Sequence, residues 1–314
     1  MWHFFWRRLT GLLVVMALVA TLVFFLTRLA PGDPAALMLG DQASAADIAA
    51  LRTVYGLDQP VLVQFGLWVK EILKGNLGQS IFLQRPVTQA LMERAEPTFF
   101  LALFSVLIAA LIGIPAGIVS AVWRGRFIDQ LVSGLAMLAA NIPSFWLGLL
   151  FIQFFAVKYH LFPVAGYGDP GVPLLERLRH LVLPASVLGL VNSALITRFT
   201  RASMLDILGE DFIRTARSKG LAESVVILRH GFGNALIPII TVVGLTAALL
   251  VGGAIVTETI FGLPGIGNLV VSAVLRRDYP VIQGALIVVA GIYVLINLAV
   301  DLIYALVDPR VRAQ

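Results

Sequence analysis

DFIRTARSKGLAESVVILRHGFGNALIP, residues 211 to 238, is a polar and basic interruption between two long apolar runs. Its first half has the spacing of a short amphipathic helix. Phe212, Ile213 and Ala216 fall on one side, while Arg214, Arg217 and Ser218 project elsewhere. Gly220 punctuates the stretch, and a second short helical run continues to about His230. A chain that only has to turn round between two membrane spans needs no helix-forming insert of this length. The stretch therefore reads either as a docking element or as a basic helix lying on anionic lipid.

The surrounding chain is 59% hydrophobic and 13% charged, with mean hydropathy +0.92, whereas soluble domains carry about 25% charged residues. So much apolar surface cannot be hidden from water by a chain of 314 residues, and the fold class expected is an all-α polytopic membrane protein. Apolar runs at 9–29, 98–121, 131–157, 181–200, 235–257 and 282–307 are each long enough to cross the hydrocarbon, giving six transmembrane helices. The first run exceeds the apolar core of a signal peptide and no convincing small-residue cleavage site follows it, so it is expected to be retained. The fourth is polar through Asn192, Ser193, Thr197 and Arg198 and is expected to face other helices.

The organisation that follows is a cytoplasmic lead-in and first helix at 1–29, and an extracytoplasmic segment at 30–97. A five-helix core at 98–308 carries a cytoplasmic loop at 201–234, and a cytoplasmic tail spans 309–314. The segments placed inside hold 11 Lys and Arg in 58 residues, and those outside 10 in 115. This asymmetry puts both termini in the cytoplasm. The 30–97 segment is too short and polar for a core of its own, so it is expected to pack against the membrane part or a partner. Ala109, Gly113 and Gly117, and again Gly244, Ala248 and Gly252, recur every fourth residue and permit close helix packing. Pro115, Pro143, Pro184 and Pro238 are candidate kinks.

Several chemistries are excluded or weakened. There is no cysteine, and the four histidines at 3, 160, 180 and 230 form no close ligand pair, so no metal site is expected. No catalytic constellation is apparent. Gly262-Leu-Pro-Gly-Ile-Gly267 lacks the Lys of a phosphate loop and suits a tight turn instead. The modest net charge of +5 argues for orientation in a membrane and not for nucleic acid. Arg28, Arg198 and Asp301 are ionisable residues near span ends, and Asn297 shares a helix face with Asp301. A secondary carrier driven by an ion gradient stays open on these residues, as does a structural scaffold.

Arg214 to Leu221, RTARSKGL, resembles the cytoplasmic loop of ABC-importer permeases, written Glu-Ala-Ala, three residues, Gly. Arg214 and Thr215 stand where that pattern has Glu and Ala, and Ala235-Leu-Ile-Pro238 comes later than the family's Leu-Pro. The wider chain is similar to the first permease subunit of the dipeptide, oligopeptide and nickel branch. The similarity rests on Leu29-Ala-Pro-Gly-Asp-Pro34, Tyr55-Gly-Leu-Asp-Gln-Pro60, Gly75-Asn-Leu-Gly-Gln-Ser80 and Arg85-Pro-Val. It continues through Thr257-Glu-Thr-Ile-Phe-Gly-Leu-Pro-Gly-Ile-Gly267, Arg277-Asp-Tyr-Pro-Val-Ile-Gln283 and Asp308-Pro-Arg310.

The resemblance implies a type I ABC-importer permease fold in the cytoplasmic (inner) membrane. It further implies an ATPase-coupling loop made by Phe212, Ile213, Arg214, Thr215, Ala216, Arg217, Lys219, Gly220 and Leu221. The implied partners are a homologous second permease, two ATP-binding subunits, an extracytoplasmic solute-binding protein and membrane lipid. ATP and magnesium would sit on the partners, with no cofactor on this chain. Dipeptides or oligopeptides are the implied solutes, with nickel chelates or glutathione as alternatives in the same family.

Overall fold

A computed structural model describes residues 2–29, 36, 44–54, 56–169 and 171–307. Among them no strand is present, and Gln79 and Pro86 form a single antiparallel bridge. The expected break at Pro31–Pro34, Tyr55 and the tail with Asp308, Pro309 and Arg310 lie outside the described residues. In chain order the helices begin with α1 (Trp2–Leu29), α2 (Ala45–Val54), α3 (Val61–Leu73), α4 (Val87–Val122) and α5 (Phe127–Asn141). Next come α6 (Ser144–Phe151), running into a π-helix at Ile152–Lys158, then α7 (Leu174–Arg179), α8 (Val182–Leu208) and α9 (Asp211–Ser218). A short α10 (Glu223–Val225) enters a second π-helix at Val226–Phe232. The chain ends with α11 (Gly233–Gly253), α12 (Ile255–Ile260), α13 (Ile266–Leu275) and α14 (Tyr279–Val307).

Five helices are long and apolar enough to cross a bilayer, and a sixth span is the pair α5 and α6 bent by 97°. The all-α, six-span reading stands, with that third span broken. The cause is local. Proline at 143 offers no N–H and crowds the residue before it, so Ile142 turns extended with φ −74° and ψ 123°. The second span starts at Val87 instead of residue 98, and α4 has 36 residues. At 1.5 Å per residue that is about 54 Å, well beyond the roughly 30 Å of hydrocarbon, so one end stands clear of the membrane. The fifth span is helical from Glu223, because no glycine with positive φ interrupts it after Gly220.

The chain divides into two compact units. One comprises Pro97–Pro264 with the chain from Leu295 onward, and the other Trp2–Glu96 with Gly265–Val294. In the first, α8 is the central post and is packed by α5, α6 and α11. In its 18-residue apolar stretch 56% of the residues are buried, against 11–33% in the other unbroken spans, which explains how it tolerates polar residues. Ser193, Thr197 and Thr200 are buried and Asn192 is half-buried, while Arg198 is exposed. Three of these side chains bond their own helix. Ser193 Oγ donates to Leu190 O at 2.7 Å, Thr197 Oγ1 to Ser193 O at 2.8 Å, and Asn192 Nδ2 to Leu188 O at 2.8 Å. Bonded this way, they cost little away from water. Glu258 in α12 is buried as well and accepts a hydrogen bond from Thr98 Oγ1 at 2.6 Å.

The glycine ladder of α4 packs within the chain, against α8. A β-carbon on Gly113 would sit 2.7 Å from Ile196 Cβ and 2.8 Å from Ser193 O; on Gly117, 2.5 Å from Thr200 Cβ and 2.7 Å from Thr197 O. From the other side, Gly189 of α8 meets Ile108 in the same way. The second ladder is only half used: Gly244 abuts Val300 of α14, whereas Gly252 has nothing within 4 Å.

In the second unit, Val87, Ala90 and Leu91 of α4 form a core with Ile266, Leu269 and Ala273 of α13 and Val281 and Ala285 of α14. The 30–97 segment thus completes its core with residues from the far end of the chain. Asp278 fastens the two. It is buried and accepts hydrogen bonds from Ser80 Oγ, Ile81 N at 3.2 Å and Phe82 N at 3.1 Å, while the Arg276 guanidinium lies over the Phe82 ring at 3.5 Å.

Because the α4–α8 contact includes backbone, it cannot yield to an added side chain. Gly117→Val is expected to cost about 1–3 kcal/mol or more, seen as a lower melting temperature of the detergent-purified chain. Gly252→Ala should leave melting unchanged. Equal melting of the two variants would contradict the interlock.

Candidate functional site

The site expected at 211–221 is a small module built on the end of α8. Asp211 in the first turn of α9 and Arg217 in its last turn both suit the helix dipole, and Thr215 and Ser218 back-bond to Asp211 O and Arg214 O at 3.0 and 2.9 Å. Ile213 and Ala216 are buried and form a cluster with Val226 and the half-buried Leu208. The apolar side expected from the sequence is therefore divided. Ile213 and Ala216 anchor the helix to its own chain, while Phe212, at 43% exposure, faces out.

The turn after α9 is shaped by Gly220 at φ +75°, a left-handed conformation that costs other residues roughly 1–2 kcal/mol. Across it, Arg217 grips Glu223 in bidentate fashion, Nη2 to Oε1 at 2.7 Å and Nε to Oε2 at 3.2 Å. That hydrogen-bonded carboxylate raises the Arg217 pKa further above its ordinary value. Arg214 reaches Asp211 at 3.3 Å, whereas Lys219 has no ion pair among the described residues. Beyond the turn, the π-helix presses Gly231 against α8, where a β-carbon would meet Leu208 Cδ2 at 3.2 Å and Met204 Cε at 3.3 Å. What remains outside is a compact surface carrying Phe212, Leu221 and Val225 among Arg214, Thr215, Lys219 and Gly220. It is rigidly backed and partly apolar, and it has the character of a protein-docking face.

One element of the site is absent from the sequence reading. Asp129, at 5% exposure, receives both Arg201 Nε and Arg201 Nη2 at 2.8 Å, together with Ser120 Oγ and Gly125 N–H at 2.9 Å. This clamp ties the end of α4, the 123–126 turn, the start of α5 and the lower part of α8 into one block. The available signal was composition, since Asp129 is the only acid between Glu96 and Asp169. Of the other candidates, Arg28 lines a cavity in the second unit, Arg198 is exposed, and Asn297 and Asp301 are half-buried. Gly262 has φ +56°, as a turn glycine should. Among the described residues no group of three metal-ligating side chains occurs.

Residues 113–313 match the family described as binding-protein-dependent transport system inner membrane component, and residues 1–102 match its N-terminal companion. A Sinorhizobium fredii protein named as a probable peptide ABC transporter permease, y4tP, is 42% identical over 98% of both chains. The glutathione transport system permease protein GsiC of Pectobacterium atrosepticum is 43% identical over 99% of both. Among solved structures, a chain of the MetNI methionine ABC transporter in an inward-facing conformation superposes with a TM-score of 0.59. It is 19% identical and covers 70% of this chain and 97% of its own. The chain is thus a multi-pass membrane protein with the fold of a type I ABC-importer permease, and it belongs to the family of binding-protein-dependent transport system inner membrane components.

Proposed function

We propose that the chain is one of two permease subunits of an ATP-driven importer that accepts a dipeptide or oligopeptide from an extracytoplasmic binding protein. It releases the solute inside by alternating access. The observation that carries this reading is the α9 module: a short helix anchored from beneath by Ile213 and Ala216, with Phe212, Leu221 and Val225 left exposed around it. Such a surface suits a groove on an ATP-binding subunit better than it suits lipid, because its apolar and charged residues are interspersed. Both termini and the 201–234 loop lie in the cytoplasm in this scheme, and residues 30–97 lie outside. ATP and magnesium are held by two partner subunits. The chain itself performs no catalysis and needs no cofactor.

In the proposed cycle, closure of the ATP-bound partners draws the α9 modules of the two permeases together. Ile213, Ala216 and the Gly231 contact pass that displacement to the end of α8, and the Asp129–Arg201 clamp passes it to α4 and α5. Relatives named as peptide permeases support a peptide solute, and the relative named as a glutathione permease supports glutathione, itself a small peptide, as the second reading.

The proposal is tested by purifying the tagged chain in mild detergent and identifying what accompanies it, then measuring uptake into proteoliposomes. A second six-span permease, phosphate-loop ATPases and ATP-dependent peptide uptake are expected; a chain that purifies alone while a control importer stays intact would refute the reading. Gly220→Leu has open space for its side chain but the wrong backbone preference. It should leave ATP hydrolysis running while uptake falls at least several-fold, and normal uptake by this variant would remove α9 from the coupling role. Arg201→Gln leaves a buried carboxylate uncompensated. Since Arg201 is itself partly exposed, the loss should be about 2 kcal/mol, below the range for fully buried pairs, and read as a lower melting temperature together with reduced uptake.

A further inference from the structure

Helix α3 (Val61–Leu73), in the second unit, has three distinct sides. One is tied into the chain. Gln64, at 8% exposure, donates through Nε2 to Leu57 O at 3.1 Å and Gln59 O at 2.8 Å, which fixes the first turn. Phe65 and Trp68 each meet the buried Phe24 ring of α1 at a centroid distance of 5.3 Å, and Phe65 meets Phe25 at 5.8 Å. On the second side Leu62, Gly66, Val69 and Leu73 follow at helical spacing, and Leu62 and Leu73 are exposed at 75% and 83%. The third is charged: Lys70 and Lys74 are exposed, and Glu71 accepts from Lys74 Nζ at 2.6 Å.

The ring contacts set the depth of this helix. Phe24 stands four residues before Arg28, where the apolar span Thr10–Arg28 ends. At 1.5 Å per residue that is about 6 Å inside the span. A second span ends close by, since Gln283, near the start of the span Tyr279–Ile303, donates to Thr27 Oγ1. On the turns either side of Phe24, α1 exposes Leu22 and Leu26, so its hydrocarbon contact extends to this height. At 13 residues α3 is about 20 Å long, too short to cross the roughly 30 Å of hydrocarbon. Its ring contacts involve one turn of α3 and one turn of α1, so the two helices cross instead of running side by side.

We infer that α3 is an interfacial anchor whose partner is the bilayer surface itself. It lies along the membrane at the Arg28 end of α1, with Leu62, Gly66, Val69 and Leu73 among the upper acyl chains and Lys70, Glu71 and Lys74 at the level of the head groups. Amphipathic helices of this kind sink about 5–10 Å into the boundary between head groups and acyl chains, which agrees with the depth of Phe24. The exposed apolar side of α3 thus continues the lipid contact of α1, and the chain leading into α4 is held at a fixed height on the membrane. The anchor requires only that the chain sit in a bilayer, so its failure and that of the importer reading are separate results.

The chain has no cysteine, so single-cysteine variants of the full chain each carry one nitroxide label. The labelled variants are Leu62→Cys, Leu73→Cys, Lys70→Cys and Lys74→Cys. Leu18→Cys, exposed in the middle of α1, is the lipid reference and Glu210→Cys, exposed in the polar loop, the water reference. All six positions are exposed, so the variants should melt like the unmodified chain. In vesicles of phosphatidylethanolamine and phosphatidylglycerol, collision of each label with oxygen, which concentrates in lipid, is compared with collision with a nickel chelate, which stays in water. The oxygen-to-nickel ratio at Leu62 and Leu73 is expected to approach that at Leu18 and to exceed those at Lys70, Lys74 and Glu210 several-fold. Ratios at the two leucines no higher than at Glu210 would overturn the inference by placing the side in water. Weak collision with both reagents would overturn it by assigning the side to protein, a second copy of the chain or a bound subunit. Equal, lipid-like ratios at the leucines and the lysines would overturn it by submerging the whole helix.

Discussion

A peptide N–H or C=O in hydrocarbon finds no water, and leaving one unpaired costs several kcal/mol. Nearly everything in this chain follows from that constraint. The apolar runs become helices because a helix alone satisfies its backbone within one segment. Polar side chains survive inside α8 because Ser193, Thr197 and Asn192 spend their donors on carbonyls of the same helix. Association between helices then needs no polar glue, and it is achieved by close approach of backbones at Gly113, Gly117 and Gly189. Departures from regular helix sit where neighbours can absorb them. Gly148, just after the Ile142–Pro143 bend, packs against Phe261, and the π-helix at Val226–Phe232 leans its Gly231 on α8.

A buried charge obeys the same accounting in a harsher form. Asp129 is kept ionised among apolar helices by a bidentate guanidinium, two hydroxyls and a backbone N–H, which fills its acceptor capacity. In the second unit Asp278 accepts hydrogen bonds from a hydroxyl and two backbone N–H groups. Each carboxylate gathers segments distant in sequence: Asp129 with Arg201, Asp278 with Ser80–Phe82. In a fold made of locally satisfied helices, such carboxylates supply the long-range specificity that backbone pairing supplies in a sheet.

That division also explains what the amino-acid sequence made legible. The six spans are readable because length and hydropathy are local properties, and the α4 glycine ladder is readable because its spacing is. The α9 helix was visible from Phe212, Ile213 and Ala216, but not that Ile213 and Ala216 turn inward, since periodicity marks an apolar side without naming its partner. The bend at Pro143 could be anticipated as a kink, though a 97° change of direction depends on what packs on either side. Neither carboxylate cluster was accessible, because Asp129 and Arg201 are 72 residues apart and Ser80 and Asp278 are 198 apart. The motifs around Ser80 and Asp278 were both noticed, as separate features of a family resemblance. Their common cause is a single hydrogen-bonded turn.

Force transmission through the first unit depends on where it is stiff. From Arg201 to Leu208 α8 advances about 10 Å at 1.5 Å per residue, so the α9 module sits one short lever beyond the clamp. The lever does not bend freely, because Met204 at its midpoint packs with Ala121, Ala235 and Ile239. Past the clamp, α4 and α8 interlock through Gly113, Gly117 and Gly189 and cannot slide without a backbone collision. A push on α9 therefore moves α8, α4 and the start of α5 together. The first place on α5 where direction changes without a continuous helix is Ile142–Pro143. In the proposed cycle a displacement of α9 is therefore carried first by α8, α4 and the start of α5, and Ile142–Pro143 is the first break in helix that it meets on α5.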